Sequence, residues 1–171
     1  MRGGVERGAG LTEGAPRVVL REVRGEDLPV FFEHQRDPVA AAVAAFPSRD
    51  RDAFTAHWER ILRDPAVRAR TVIADGRVAG NVVSFPIEGR RFVGYWLGRG
   101  FWGKGVATAA LRRFLREEPT RPLFASVARS NVGSIRVLEK CGFRLAGTEP
   151  AGGGPDALLY ELPGGEDGAP A

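Results

Sequence analysis

The segment from Gly94 to Thr108 constrains the fold more than any other part of this chain: Gly-Tyr-Trp-Leu-Gly-Arg-Gly-Phe-Trp-Gly-Lys-Gly-Val-Ala-Thr. It runs from a strand pattern through a glycine-rich turn into a helix that begins near Val106. Glycines let backbone amides approach an anion without Cβ obstruction, and the helix start adds unpaired N–H groups and a partial positive charge. The segment is therefore suited to holding a phosphate.

Three motifs overlap on these residues. Gly98-x-Gly100-x-x-Gly103 matches the dinucleotide fingerprint, which also requires an early strand-turn-helix-strand unit and an acid about 20 positions on. This turn lies past mid-chain, and the nearest acids, Glu117 and Glu118, close the helix instead of ending the next strand. Gly98-x-x-x-x-Gly103-Lys104 matches a nucleotide-triphosphate loop, but Gly105 stands where Ser or Thr should hold magnesium. The third motif is Trp102-Gly-Lys-Gly-Val-Ala-Thr108, followed downstream by Asn131-Val-Gly-Ser-Ile-Arg-Val-Leu-Glu-Lys-Cys-Gly-Phe143.

In this order the two clusters resemble the GNAT superfamily of acyl-CoA-dependent N-acetyltransferases, and particularly its RimJ/RimL-like branch. The family's pyrophosphate loop reads Arg or Gln, two residues, Gly, one residue, Gly or Ala. Gly105 and Ala107 fill the last two positions, and Trp102 replaces the first, as is frequent in the RimL-like branch. The resemblance covers Arg17 to Leu162 and implies one acetyltransferase domain over 17–162. Its fold would be mixed α/β (α+β), with a central, mostly antiparallel sheet containing one parallel pair, flanked by helices.

It further implies acetyl-CoA as acyl donor, bound by the loop amides of Gly103, Lys104, Gly105, Val106, Ala107 and Thr108 together with Trp102. The backbone near Leu97 would pair with the pantetheine arm, and Asn131 would touch the cofactor beside the thioester. Ser134, on the first turn of the same helix, would protonate the leaving thiolate; Leu138 stands where other members carry a tyrosine. The acceptor would be a primary amine, either a protein N-terminus or a small amine. Relatives often form dimers, so a homodimer is the assembly the resemblance allows.

Read without the resemblance, several of these residues have plainer roles. Gly103 and Gly105 serve a tight strand-to-helix turn, Asn131 a helix cap, and Ser134 a hydroxyl bonding to backbone at a helix end. Tyr95 and Trp96 alternate across a strand, so at least one packs in the core. The family's usual carboxylate before Gly-Tyr-Trp is Val93 here. His34, His57, Glu88, Asp156 and Tyr160 are bases by residue type, and sequence alone places none of them in a cleft. Val93 and Leu138 motivate an alternative, a catalytically silent acyl-CoA sensor or partner-binding module.

Composition narrows the class. With 171 residues and 43% hydrophobic content the chain is long enough for one ordinary core. The net charge of +4 and pI near 10.0 raise the possibility of an anionic partner, but arginines alternate with acids through Arg49–Asp52 and Arg112–Glu118. That is the pattern of a solvated surface, not of a nucleic-acid binder. One cysteine, Cys141, excludes an internal disulfide and a cysteine-rich metal site, and acyl transfer from a thioester needs no metal. No apolar run approaches the roughly 18 residues that span a bilayer, and the N-terminus lacks a secretory apolar centre. A cytoplasmic location is the default expectation.

Along the chain, residues 1–16 and 163–171 are glycine-rich without apolar periodicity and read as disordered tails. Val18–Val23 reads as a strand. Asp27 precedes a helix carrying Leu28, Phe31 and Phe32, which Pro38 stops, and Ser48–Asp64 reads as a second helix. Thr71–Ala74 and Val78–Phe85 form a hairpin around Asp75-Gly76, and Glu88-Gly89 turns into Arg91–Leu97. After the loop come a helix to Pro119, a strand at Leu123–Ala128 parallel to its predecessor, a helix capped by Asn131 or Ser130, and strands at Phe143–Ala146 and Ala157–Leu162.

Overall fold

The computed structural model describes residues 14–150 and 156–165. The expected glycine-rich connection at 152–154 and most of both expected tails lie outside these residues. Seven strands form a single sheet: β1 (Val18–Arg21), β2 (Arg68–Ala74), β3 (Arg77–Ile87), β4 (Arg90–Leu97), β5 (Leu123–Ala128), β6 (Arg144–Glu149) and β7 (Ala157–Leu162), in the order β1-β2-β3-β4-β5-β7-β6. Among the described residues only β4 and β5 pair in parallel.

Two-residue turns fix the central register. Asp75-Gly76 and Glu88-Gly89 all have positive φ, 48° and 79° in one turn and 48° and 78° in the other. Two left-handed residues in a row match the right-handed twist of the flanking strands, which is why Asp-Gly and Glu-Gly join β2 to β3 and β3 to β4.

Strand alternation then divides the core. Val82 points into a cluster with Val72, Val93, Leu123 and the helix α4 (Val106–Glu117), whose Val106, Ala110, Leu111 and Phe114 are buried. Its neighbour Val83 points to the opposite face, where Phe31 and Phe32 of α1 (Leu28–Arg36) and Phe54 and Trp58 of α3 (Arg51–Arg63) pack.

Pro38 has two effects, of which the sequence reading anticipated one. It ends α1 at Arg36, and it also opens a further short helix, α2 (Pro38–Ala44), as its first residue. Proline fits there because its missing N–H would be unpaired in any case, and the Asp37 carboxylate accepts from the amides of Val39 and Ala40. Among the described residues three α-helices therefore precede β2 instead of two. The strand expected at Phe143–Ala146 runs instead from Arg144 to Glu149, paired with β7.

The feature that creates a site is a divergence in the middle of the sheet. β4 and β5 pair only at Arg91–Leu123 and Phe92–Phe124. Beyond that point β4 stays on β3 as far as Leu97 opposite Gly80, while β5 follows β7 to Ala128 opposite Ala157. The facing edges of β4 and β5 are left unpaired toward their C-terminal ends. The helix α5 (Val132–Lys140) starts just after β5, beside the gap.

Candidate active site

β4 delivers the chain into the glycine loop at the open end of the gap. A single turn at Arg99–Phe101 follows, and Gly103 and Gly105 both adopt left-handed backbone, with φ of 70° and 77°. A side chain at either would meet no protein atom within 4 Å, so the space in front of the loop is open. Gly105 is the N-cap of α4 and has no side chain to offer the first turn. The leading amides of a helix lack intrahelical partners, so here they face the opening with a partial positive charge.

Contacts with the N-terminal helices hold this loop. The Trp102 indole donates to the Leu97 carbonyl (3.1 Å), folding the loop back onto the strand end. Arg99 pairs with Asp37 (2.9 Å), and the Trp96 indole donates to the His34 carbonyl (3.2 Å). The His34 ring lies under Gly98 so closely that a Cβ there would come within 2.5 Å of Nε2. Burial pushes the His34 pKa down, and its Nδ1 is buried without a hydrogen-bond partner. It is a neutral packing group.

Across the gap, Asn131 caps α5 by accepting from the Ser134 amide (3.2 Å). The Tyr95 hydroxyl lies 2.7 Å from Ser134 Oγ and also donates to the Ser134 carbonyl at 3.2 Å. Burial pushes the Tyr95 pKa well above the usual phenol value, although the bond to Ser134 opposes this, so the hydroxyl keeps its proton.

Two cavities meet at this pair. One, of about 450 Å³, lies against the glycine loop, and the other, of about 630 Å³, lies between the sheet and α1–α3. Tyr95, Trp96, Asn131 and Ser134 border both.

Of the residues expected from sequence, Leu97, Trp102, Gly103, Gly105, Val106, Ala107, Thr108, Asn131 and Ser134 all line the smaller cavity. Lys104 is exposed and does not line it; its side chain belongs to the solvated outer side of the turn. Sequence reasoning missed Arg136 and Lys140, which line the same cavity from α5. Their spacing of four puts both on one helix face, a signal that was available. It also missed the pairing of Tyr95 with Ser134, which joins residues 39 apart and has no local signature.

The candidate bases scatter. Glu88 sits in the hairpin turn at the paired end of β4, Asp156 is exposed at the start of β7, and Tyr160 is buried with its hydroxyl on Glu139 (3.3 Å). His57 alone among the five lines the larger cavity. Burial, and then the charges of Arg49 and Arg60, push its pKa down, so it is neutral near pH 7. Val93, at the family's carboxylate position, is buried and lines the same cavity.

Residues 17–144 match the family described as the acetyltransferase (GNAT) domain. The chain belongs to the GNAT acetyltransferase family. The probable N-acetyltransferase YjcK of Bacillus subtilis (strain 168) is 35% identical over 106 residues, which cover 57% of this chain and 59% of that relative. Solved acetyltransferases share the fold. The aminoglycoside acetyltransferase AAC(6')-Ib in complex with coenzyme A superposes with a TM-score of 0.71 at 21% identity, over 86% of this chain and 95% of that one. The spermidine N-acetyltransferase of Vibrio cholerae, in complex with CoA and spermine, gives 0.73 at 18% identity, over 85% and 94%. The diverging β4 and β5 thus sit in a domain of known architecture. No helix among its described residues is long and apolar enough to cross a membrane.

Proposed function

We propose that this GNAT acetyltransferase moves an acetyl group from acetyl-CoA to a primary amine by direct attack, as a RimJ/RimL-like enzyme would. The observation that carries the reading is the uncapped start of α4 opening onto one cavity, which meets a second cavity at the Tyr95–Ser134 pair. In this reading the smaller cavity takes the cofactor. Its pyrophosphate accepts from the loop amides between Gly103 and Thr108, with Arg136 and Lys140 supplying charge. The amide-rich pantetheine arm lies along the unpaired edge of β4 near Leu97, and Asn131 stands beside the thioester.

The acceptor amine enters from the larger cavity and attacks as the neutral base. The thioester carbon gains the C–N bond and then expels the CoA thiolate as the C–S bond breaks; the thiolate takes a proton from Ser134 Oγ, and the proton that the nitrogen sheds passes through water to restore the serine hydroxyl. Tyr95 orients that hydroxyl. The chain's main contribution is to align amine and thioester, which removes much of the entropic barrier. Solved relatives act on acceptors as different as aminoglycosides and spermidine, so the fold alone leaves the acceptor open, and a protein N-terminus or a small amine both fit the reaction.

Thermal unfolding with acetyl-CoA, CoA, ATP or NAD, followed by mass spectrometry of amines incubated with enzyme and acetyl-CoA, tests this. A ligand at 100 times its dissociation constant adds about 2.7 kcal/mol, which at this chain length raises the midpoint by about 5 to 10 °C. The expected result is a shift with acetyl-CoA and CoA only, and an acetylated amine. Binding without transfer to any amine would instead identify a silent acyl-CoA sensor, the reading that buried Val93 and Leu138 favour.

The loop carries its own prediction. Gly105→Val places a β-branched residue in left-handed backbone, at a strain of about 1 to 3 kcal/mol, and pushes a side chain into the open space. CoA affinity should fall about 100-fold, the equivalent of one or two charge-assisted hydrogen bonds. Calorimetric titration of CoA checks it, and an unchanged affinity would remove the loop from the binding site.

A further inference from the structure

The larger cavity must hold whatever the amine is attached to, and its walls are specific about that. Phe31, Phe46, Phe54, Trp58, Phe85 and Trp96 make much of its lining. The formally charged groups are Arg49 and Asp64, beside the neutral His57. Asp64 is exposed at the end of α3, and its carboxylate accepts from the Ala66 amide (2.9 Å).

Arg49 is different. Its guanidinium lies over the Phe46 ring, 5.1 Å from the centroid, and is partly buried. Among the described residues no carboxylate pairs with it. Burial and the nearby Arg60 charge both push its pKa down, and no acid opposes them.

The segment carrying Arg49 is nonetheless fixed. The buried Gln35 donates from Nε2 to the Arg49 carbonyl (2.8 Å) and accepts the Arg49 amide at Oε1 (3.4 Å), while Ser48 Oγ donates to the Gln35 carbonyl (2.9 Å). Such a cation is held in position without being neutralised. A partly desolvated charge without a partner is unfavourable, and an anion entering the cavity relieves it with a charge-assisted hydrogen bond. Aromatic walls also attract cations, but a polyamine or aminoglycoside would bring its charges toward Arg49, and the one carboxylate in the lining, Asp64, is exposed at the end of α3 and already accepts from the Ala66 amide.

We propose that the acceptor is an amine carrying a carboxylate on an apolar body, with Arg49 holding the carboxylate while the amine reaches the Tyr95–Ser134 junction; this rests on the transfer reading above. The aromatic walls take the apolar body. Arg49 is then a specificity-determining residue on the acceptor side and does not contact CoA.

The test compares paired acceptors: phenylalanine and a dipeptide ending in phenylalanine, each against its C-terminal amide, with spermidine as the polycation. Acetylation is followed by mass spectrometry. In parallel, N-acetylphenylalanine and its amide are titrated calorimetrically into the CoA-saturated enzyme. The free acids should show a KM or dissociation constant about 10- to 100-fold lower than the amides, the range of a hydrogen bond to a charged group. Arg49→Gln should abolish that preference with the KM for acetyl-CoA unchanged, and Arg49→Lys should restore part of it.

Equal handling of acid and amide by the native enzyme would overturn the inference. So would a preference that survives Arg49→Gln, or preferred acetylation of spermidine. The titration separates the two claims: an Arg49-dependent preference for the free acid in an enzyme that acetylates nothing would uphold the anion site and refute acetyl transfer.

Discussion

Glu118→Ala is expected to lower the unfolding free energy by about 3 to 5 kcal/mol, the cost of breaking a buried ion pair from one side. At this chain length the midpoint falls by about 10 °C. Glu118 is 2% exposed and closes α4. Its Oε2 accepts from Ser84 Oγ of β3 (2.5 Å) and from Arg91 of β4 (3.1 Å), with Arg68 of β2 at 3.8 Å, and its Oε1 accepts from the Thr120 amide (3.1 Å). Removing the carboxylate leaves Arg91 and Ser84 facing a void at the paired end of β4 and β5. Differential scanning calorimetry of the variant measures the effect, and a midpoint within 2 °C of the native one would refute it.

The same carboxylate gives an acid-stability signature. Burial alone would raise its pKa, but the hydrogen bonds from Ser84 and Thr120 and the Arg91 charge bring it down from 4.5 to about 2. Asp27 behaves alike. Buried under β1 and β2, it accepts from both Arg21 guanidinium nitrogens (2.7 and 2.8 Å), from Thr71 Oγ1 (2.7 Å) and from the Arg24 amide (2.9 Å). These partners outweigh its burial and lower its pKa from 3.8 to about 2. A carboxylate with a depressed folded pKa contributes stability that is complete above its unfolded value and is lost as the pH falls toward the folded one. The midpoint should therefore hold down to about pH 5 and drop between about pH 4.5 and 2, and Glu118→Gln should flatten that drop.

These two acids also mark the limit of the sequence reading. Strands and turns were legible because they depend on local signals: Asp75-Gly76 can join strands in only a few ways, and the alternation of Val82 and Val83 assigns them to opposite faces. The parallel β4–β5 pair followed from the helical crossover. Asp27 read as a residue opening a helix, and it does stand before α1, but its carboxylate does not cap α1; it accepts the Arg24 amide at the turn before that helix and otherwise turns to Arg21 and Thr71. Glu118 read only as a helix-closing acid. Partners such as Thr71, 44 residues from Asp27, or Ser84, 34 from Glu118, leave no trace in spacing. Pro38 shows a different ambiguity, since a proline that ends one helix is equally suited to begin the next. At the site, the loop glycines were readable because their backbone conformation selects the residue type. Lys104 fits the same logic, since it was read for its backbone amide with a solvated side chain, and that side chain is exposed.

Ser134→Ala is expected to lower kcat by at least about 100-fold, the lower range for losing a group that transfers a proton in the transition state. The KM for acetyl-CoA should change little, because the loop amides proposed to hold the pyrophosphate are untouched. Leu138, where the family resemblance would place a tyrosine, is 1% exposed and packed in the core, so α5 has no second donor there. The second hydroxyl comes from β4 across the gap: Tyr95 sits 2.7 Å from Ser134 Oγ. In the transfer reading Tyr95 is a positioning residue, since its hydroxyl, donating to the Ser134 carbonyl, holds Ser134 Oγ in place at 2.7 Å. Tyr95→Phe should therefore cost about tenfold in kcat, the worth of one ordinary hydrogen bond. In Ser134→Ala the same change should add almost nothing, because residues acting through one group are not additive. The Tyr95 proton is held beyond the usual phenol range, so native kcat should show no downturn from this group up to about pH 10. Steady-state kinetics of the two single variants and the double variant decide the matter. A Ser134→Ala enzyme with native kcat would move proton delivery to a water molecule, and additive losses would show that Tyr95 acts on the reaction independently of Ser134.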